Sequence, residues 1–195
     1  MWGIILAAGL SRRMGTAKLL LPYKNEPIIY HVIRHALNSS LSGVTIVVNS
    51  HLFPILNEEK KMNGAKVVVN DEASIGMSES VKVGIESIPS DVDAVMFLLG
   101  DQPLLSAVEI DFVLHDYERH QKKIVQATYQ NKRGHPVLFD KQYFCDLRLI
   151  QGDEGGRSIV KKYKEQVYYT ETGKEPIQDI DTKSDYERLL REEVS

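Results

Sequence analysis

Leu6-Ala7-Ala8-Gly9-Leu10-Ser11-Arg12-Arg13-Met14-Gly15-Thr16-Ala17-Lys18 decides the reading of this chain. The apolar run Gly3 to Ala7 predicts a buried strand, which breaks at Gly9 into a small-residue loop carrying three cations. A glycine-containing turn directly after a first strand lets backbone N–H groups converge on an anion. Arg12, Arg13 and Lys18 add side-chain charge. An arginine fork matches phosphate oxygens better than a lone ammonium. A polyphosphate is the expected guest. The loop is not a Walker P-loop, because Thr16 and Ala17 separate Gly15 from Lys18. Nor is it a dinucleotide fingerprint, having only Gly9 and Gly15.

After this loop, Asn25-Glu26-Pro27 marks a helix start, with Pro27 suited to the first turn. Ile28, Ile29, Val32, Ile33, Ala36 and Leu37 recur behind it at helical spacing. Further strands are expected at Val44 to Val48, Val67 to Val69, Ala94 to Leu99, Ile124 to Thr128 and Pro136 to Phe139. The last two flank a turn at Gln130 to Gly134, and Asn57 to Lys61 reads as an exposed helix end. Strands alternating with helices imply a three-layer α/β/α sandwich on a mostly parallel, Rossmann-like sheet. Residues 1–195 read as a single domain, since no repeat, linker or low-complexity tract interrupts them.

Composition narrows the partners. Hydrophobic residues at 43% and charged residues at 26% disfavour both disorder and a membrane protein. A net charge of −3 argues against a general nucleic-acid binder. The first apolar run is too short for a signal sequence or a spanning helix, so a cytoplasmic protein without a membrane partner is expected. Cys145 stands alone, which rules out an intramolecular disulfide, suits a reducing compartment and reads as a small core residue. His31 and His35 lie four apart without an acidic partner and read as packed or solvated.

Four later segments carry polar residues at strand or helix ends. Asn70 to Ser80 is a polar loop feeding a helix whose inner residues are Val81, Gly84, Ile85 and Ile88. Its serines either cap that helix or face a cleft at the carboxyl ends of the strands, where open parallel sheets bind ligands. Gly100-Asp101-Gln102-Pro103 ends the most continuous apolar strand, and Asp101 either opens a turn or points into the same cleft. Ser106 and Glu109 then form a capping box. Gly134-His135-Pro136 and Gly152-Asp153-Glu154-Gly155-Gly156-Arg157 come next, the latter opening a helix from about Arg157 to Lys164. In Gln178-Asp179-Ile180-Asp181-Thr182-Lys183-Ser184-Asp185, Thr182 and Asp185 cap the final helix. Asp179 and Asp181, at alternate positions of an extended segment, share one side.

The pattern G-x-S-R-R-M-G-x-x-K resembles the signature loop of nucleotidyltransferases that activate sugars and cofactors. Leu6-Ala7-Ala8-Gly9 is similar to the MobA-like branch, most like its molybdenum cofactor cytidylyltransferases. The resemblance covers nearly the whole chain, with the motifs in the family's order. It implies Mg²⁺-dependent transfer of a nucleotidyl group, CMP from CTP, to the phosphate of molybdopterin, with release of pyrophosphate. Asp101 and Asp181 are the implied metal ligands, with Asp179 as orienter or substitute. Lys18 would touch the α-phosphate or the attacking group. Arg13, with the backbone of Ala8, Gly9 and Gly15, would cradle the departing phosphates. Arg13, Lys18 and Asp101 are thus the implied catalytic residues.

Leu6, Ala7, Gly76, Ser78 and Ser80 complete the implied nucleotide wall, with Glu79 standing where the family's residue is small. His135, Asp153, Gly155 and Arg157 are the implied acceptor contacts. The resemblance also implies a molybdenum hydroxylase such as xanthine dehydrogenase as recipient, and so a link to purine catabolism. Two other readings are a sugar- or polyol-phosphate nucleotidyltransferase and a non-catalytic carrier of molybdenum cofactor.

Overall fold

The structure, a computed structural model, describes residues 1–11, 14–57 and 64–192. The chain opens with β1 (Trp2–Ala7), a two-strand ribbon of β2 (Pro22–Tyr23) and β3 (Glu26–Pro27), and α1 (Ile28–Leu37). It continues through β4 (Val44–Val48), α2 (Phe53–Asn57), β5 (Ala65–Val69), α3 (Met77–Ser87), β6 (Ala94–Leu99) and α4 (Ala107–His120). β7 (Ile124–Tyr129), β8 (Lys132–Asp140), α5 (Phe144–Leu149), α6 (Arg157–Lys162), β9 (Val167–Glu171) and α7 (Lys183–Glu192) complete it.

Among the described residues, seven strands form one sheet in the order β5-β4-β1-β6-β8-β7-β9. β1 pairs in parallel with β4 on one side and β6 on the other, and β4 with β5. Parallel neighbours need a crossover, and α1 and α3 lie between the paired strands in sequence. Among the described residues, only β8 runs against its neighbours in this sheet, pairing antiparallel with both β6 and β7. The expected three-layer α/β/α sandwich with a mostly parallel sheet is what the chain forms.

Strand pleating sorts the core. In β1, Ile5 and Ala7 join a cluster with Ile29 and Ile33 of α1, Ile110 and Val113 of α4, and Leu189 of α7. Ile4 joins the opposite cluster with Val81 and Ile85 of α3, Leu147 of α5 and Ile159 of α6. Because helices cover both faces, β4 is buried at all five positions and β6 at all but its last. That explains why both read as continuous apolar runs. No helix among the described residues is long and apolar enough to cross a membrane.

Several expectations need correction. The turn between β7 and β8 is only Gln130-Asn131, both at positive φ, so Lys132 to Gly134 belong to the strand. α6 ends at Lys162, two residues short. Pro27 caps α1 instead of sitting in its first turn. Cys145 is exposed on α5, not a core residue, because that helix buries only Leu147. Of the expected helix end at Asn57 to Lys61, only Asn57 lies within the described residues, as the last residue of α2.

Candidate active site

The carboxyl ends of β1 and β6 and the loop that follows β5 open onto a cavity of about 590 Å³. One wall is the loop after β1, from Leu6 to Ser11, with Lys18 and Leu19. A second wall comes from Ala73, Ser74, Gly76, Met77 and Ser80, ahead of and within the first turn of α3. Leu99, Asp101, Asp153, Asp179 and Asp181 complete the lining.

Ser11 shapes the first loop. Its carbonyl accepts the N–H groups of Met14 (3.0 Å) and Gly15 (3.2 Å), and its Oγ accepts the N–H of Lys18 at 3.3 Å. Gly15 adopts φ +68°, a left-handed conformation that glycine reaches without strain. The turn delivers Lys18 into a short 3₁₀ segment, with Leu19 buried as its anchor.

The Lys18 ammonium donates to two carboxylates, Asp101 Oδ2 at 2.6 Å and Asp181 Oδ1 at 2.9 Å. The N–H of Ile180 donates to the Asp101 carbonyl at 3.3 Å, and the Ile180 side chain enters the core. That anchor holds the extended tail so that Asp179 and Asp181 both face the cavity. Burial works against the Lys18 charge, but the two carboxylates outweigh it and hold its pKa above 10.5. Burial pushes the Asp101 carboxyl up from the ordinary range, and Lys18 pulls back only part of the way.

The MobA-like NTP transferase domain matches residues 3–167 of this chain. The chain belongs to that family. This MobA-like nucleotidyltransferase is 28% identical over 204 residues to the purine catabolism protein PucB of Bacillus subtilis (strain 168), covering 97% of this chain and 95% of that protein. It is 27% identical over 140 residues to a probable molybdenum cofactor guanylyltransferase of Thermococcus sibiricus, covering 70% and 66% of the two chains. Its fold matches the crystal structure of Rv0371c from Mycobacterium tuberculosis H37Rv with a TM-score of 0.87, 25% identity and 97% of each chain covered.

In this nucleotidyltransferase Leu6, Ala7, Ala8, Gly9, Lys18, Gly76, Ser80, Asp101 and Asp181 all line the one cavity. Gly15 shapes the first loop without lining the cavity. Arg12 and Arg13 lie outside the described residues. Ser78 is fully buried, its N–H donating to the Gly152 carbonyl at 2.9 Å, so it ties two loops together. Glu79 turns to Lys82 at 2.7 Å, a hydrogen bond that holds its carboxyl below the usual range.

Of the residues expected to meet an acceptor, Asp153 lines the cavity; His135, Gly155 and Arg157 do not. Burial pushes the His135 imidazole down to about 4, although Asp101 pulls the other way. His31 is a packed histidine. Arg34 donates to its Nδ1 at 2.9 Å, so its Nε2–H must donate to the Tyr23 carbonyl at 2.7 Å.

Three buried amides escaped the sequence reading. Asn49 follows β4; its Nδ2 donates to the Ala8 carbonyl at 3.3 Å, and its Oδ1 accepts from the N–H groups of His51 and Leu52. Asn70 follows β5 and donates to Ser80 Oγ at 2.9 Å. Gln102, just beyond β6, donates to Asp179 Oδ1 at 2.7 Å. Each sits at or just past the carboxyl end of a parallel strand and braces a cavity wall. An amide directly after an apolar run is the signal that could have found Asn49 and Asn70.

Proposed function

We propose that this nucleotidyltransferase moves CMP from CTP onto the phosphate of a molybdopterin-type cofactor and releases pyrophosphate, using Mg²⁺. One observation carries the chemical part: Lys18 Nζ bonded to Asp101 and Asp181 at the floor of a cavity walled by two loops. All reactants in such a transfer are anionic, so the protein chiefly orients them and offsets their charge.

The donor set fits a hard divalent cation. Two carboxylates converge on one cationic nitrogen, and Mg²⁺ is commonly held by one or two carboxylates together with substrate phosphate oxygens. Asp101 and Asp181 would hold it, while Asp179, which accepts from Gln102, lines the same cavity. When bound, that ion supplies charge neutralisation and orientation of phosphate oxygens. Lys18 is the cation of the set; phosphate arriving in the cavity competes with the carboxylates for its three N–H donors. Backbone groups of Ala8 and Gly9, held by Asn49, line the position for the phosphate chain. A phosphate monoester acceptor is already a nucleophile, so no general base is required of the protein.

The names of the relatives support the acceptor: one acts in purine catabolism and another is a probable molybdenum cofactor guanylyltransferase. Leu6-Ala7-Ala8-Gly9 supports cytidine over guanosine through its family resemblance. A carrier that only delivered cofactor would have no need of Lys18, Asp101 and Asp181 on one cavity. The test is Asp101→Ala assayed for pyrophosphate release with CTP and molybdopterin. Loss of release with an unchanged circular dichroism spectrum supports the reading, and near-normal release overturns the role of Asp101.

A further inference from the structure

Where the α3 wall meets the 152–156 loop, Gly76 and Met77 approach Gly152 and Gly155 closely. A Cβ at Gly76, which adopts φ +143°, would lie 2.5 Å from the Gly152 carbonyl carbon and oxygen. Beside it the Ser78 N–H bonds to the Gly152 carbonyl. The two backbones therefore touch directly at this point. At Gly155 the situation differs: an added Cβ would meet Met77 Sδ at 2.8 Å and no backbone atom. Met77 lines the cavity, while Gly155 does not.

We propose that Met77 is a positioning residue at the seam of the two subsites, through which the 152–156 loop sets nucleotide affinity. The inference rests on reading that loop as the acceptor's segment and the cavity as the nucleotide's. A thioether is unbranched and polarizable, able to shift between neighbours at low cost, and it makes favourable contacts with aromatic rings such as a nucleobase. At Gly76–Gly152 backbone meets backbone, whereas at Gly155 the neighbouring atom is the far end of the Met77 side chain, so a displacement of the loop at Gly155 bears on Met77. Coupling of this kind is reciprocal: an acceptor that moves the loop changes nucleotide affinity, and nucleotide changes acceptor affinity by the same factor.

A double-mutant cycle on nucleotide binding without acceptor isolates this contact. CTP and GTP are titrated calorimetrically into the unaltered protein, and whichever binds is then titrated into Gly155→Ala, Met77→Ala and the double variant. Gly155→Ala adds one methyl against a flexible sulfur, so its fold should persist. Gly156→Ala strikes the buried Phe139 ring at 2.5 Å and serves as the destabilised control. The expected result is nucleotide binding weakened about three- to tenfold by Gly155→Ala alone, and by less than about twofold when Met77 is already alanine. An equal effect in both backgrounds, or none in either, overturns the proposal. An unaltered protein that binds neither nucleotide overturns the reading of the cavity, and this inference with it.

Discussion

Lys18, from the loop after β1, and Asp101, just past the end of β6, are 83 residues apart in the sequence and meet at 2.6 Å where the two parallel strands end side by side. With Asp181 as the second acceptor, the ammonium offsets two carboxylates at once. Lys18→Met keeps the bulk of the side chain and removes that charge. By analogy with other phosphoryl-transfer sites, where one well-placed cation contributes 10³-fold or more, kcat should fall about a thousandfold. Initial rates of pyrophosphate release check this; a loss under about tenfold would remove Lys18 from the chemistry.

The three acids should not be equivalent. Asp181 bonds Lys18 directly, whereas Asp179 is held by Gln102 at 2.7 Å. Removal of a partner that only orients commonly costs about 10- to 100-fold in metal affinity or activity. Gln102→Leu and Asp179→Asn should fall in that range, with Asp181→Asn losing more. Dependence of rate on Mg²⁺ concentration across the three variants is the measurement. A larger loss for Asp179→Asn than for Asp181→Asn would exchange their roles.

Asn49 makes hydrogen bonds on both sides of its amide while almost fully buried. Asn49→Ala leaves the N–H groups of His51 and Leu52 without that acceptor and releases the Ala8 carbonyl. A buried group left unsatisfied costs about 1–3 kcal/mol, so urea unfolding should show a loss of that size. The KM for nucleotide should rise together with it. Stability lost with an unchanged KM would make Asn49 a fold residue alone.

His135 gives a pH dependence with a definite sign. Its folded pKa, about 4, lies below the ordinary value of 6.5, so the unfolded chain binds the extra proton first as pH falls. The contribution to stability is fully present above pH 6.5 and is lost progressively down to about pH 4, amounting to about 3 kcal/mol at most. His135→Gln removes this dependence. The melting-temperature gap between the two proteins should therefore change between pH 7 and pH 4. A constant gap would mean that the imidazole titrates normally.

Strands buried on both faces were legible in the sequence because burial shows as continuous apolar residues: Val44 to Val48 and Ala94 to Leu99 coincide with β4 and β6. β9, Val167–Glu171, was missed; as an edge strand it is only partly buried, and its alternation is weak. The two-residue strands β2 and β3 carry no periodicity at all. At the site, the loop after β1 could be read from its glycines and cations. The meeting of Asp101 with Asp181 could not be read from spacing, since the anchor that brings them together, Ile180 in the core, acts through tertiary packing. Met77 was similarly hidden, because its contact with Gly155 joins residues from two separate loops.

The most direct measurement is pyrophosphate release with CTP, GTP, ATP and UTP, each with Mg²⁺, in the presence and absence of molybdopterin cofactor. Release with CTP that depends on the cofactor is the expected result. Release with GTP instead would contradict the choice of base, and no release with any pair, despite tight cofactor binding, would contradict nucleotidyl transfer to this acceptor.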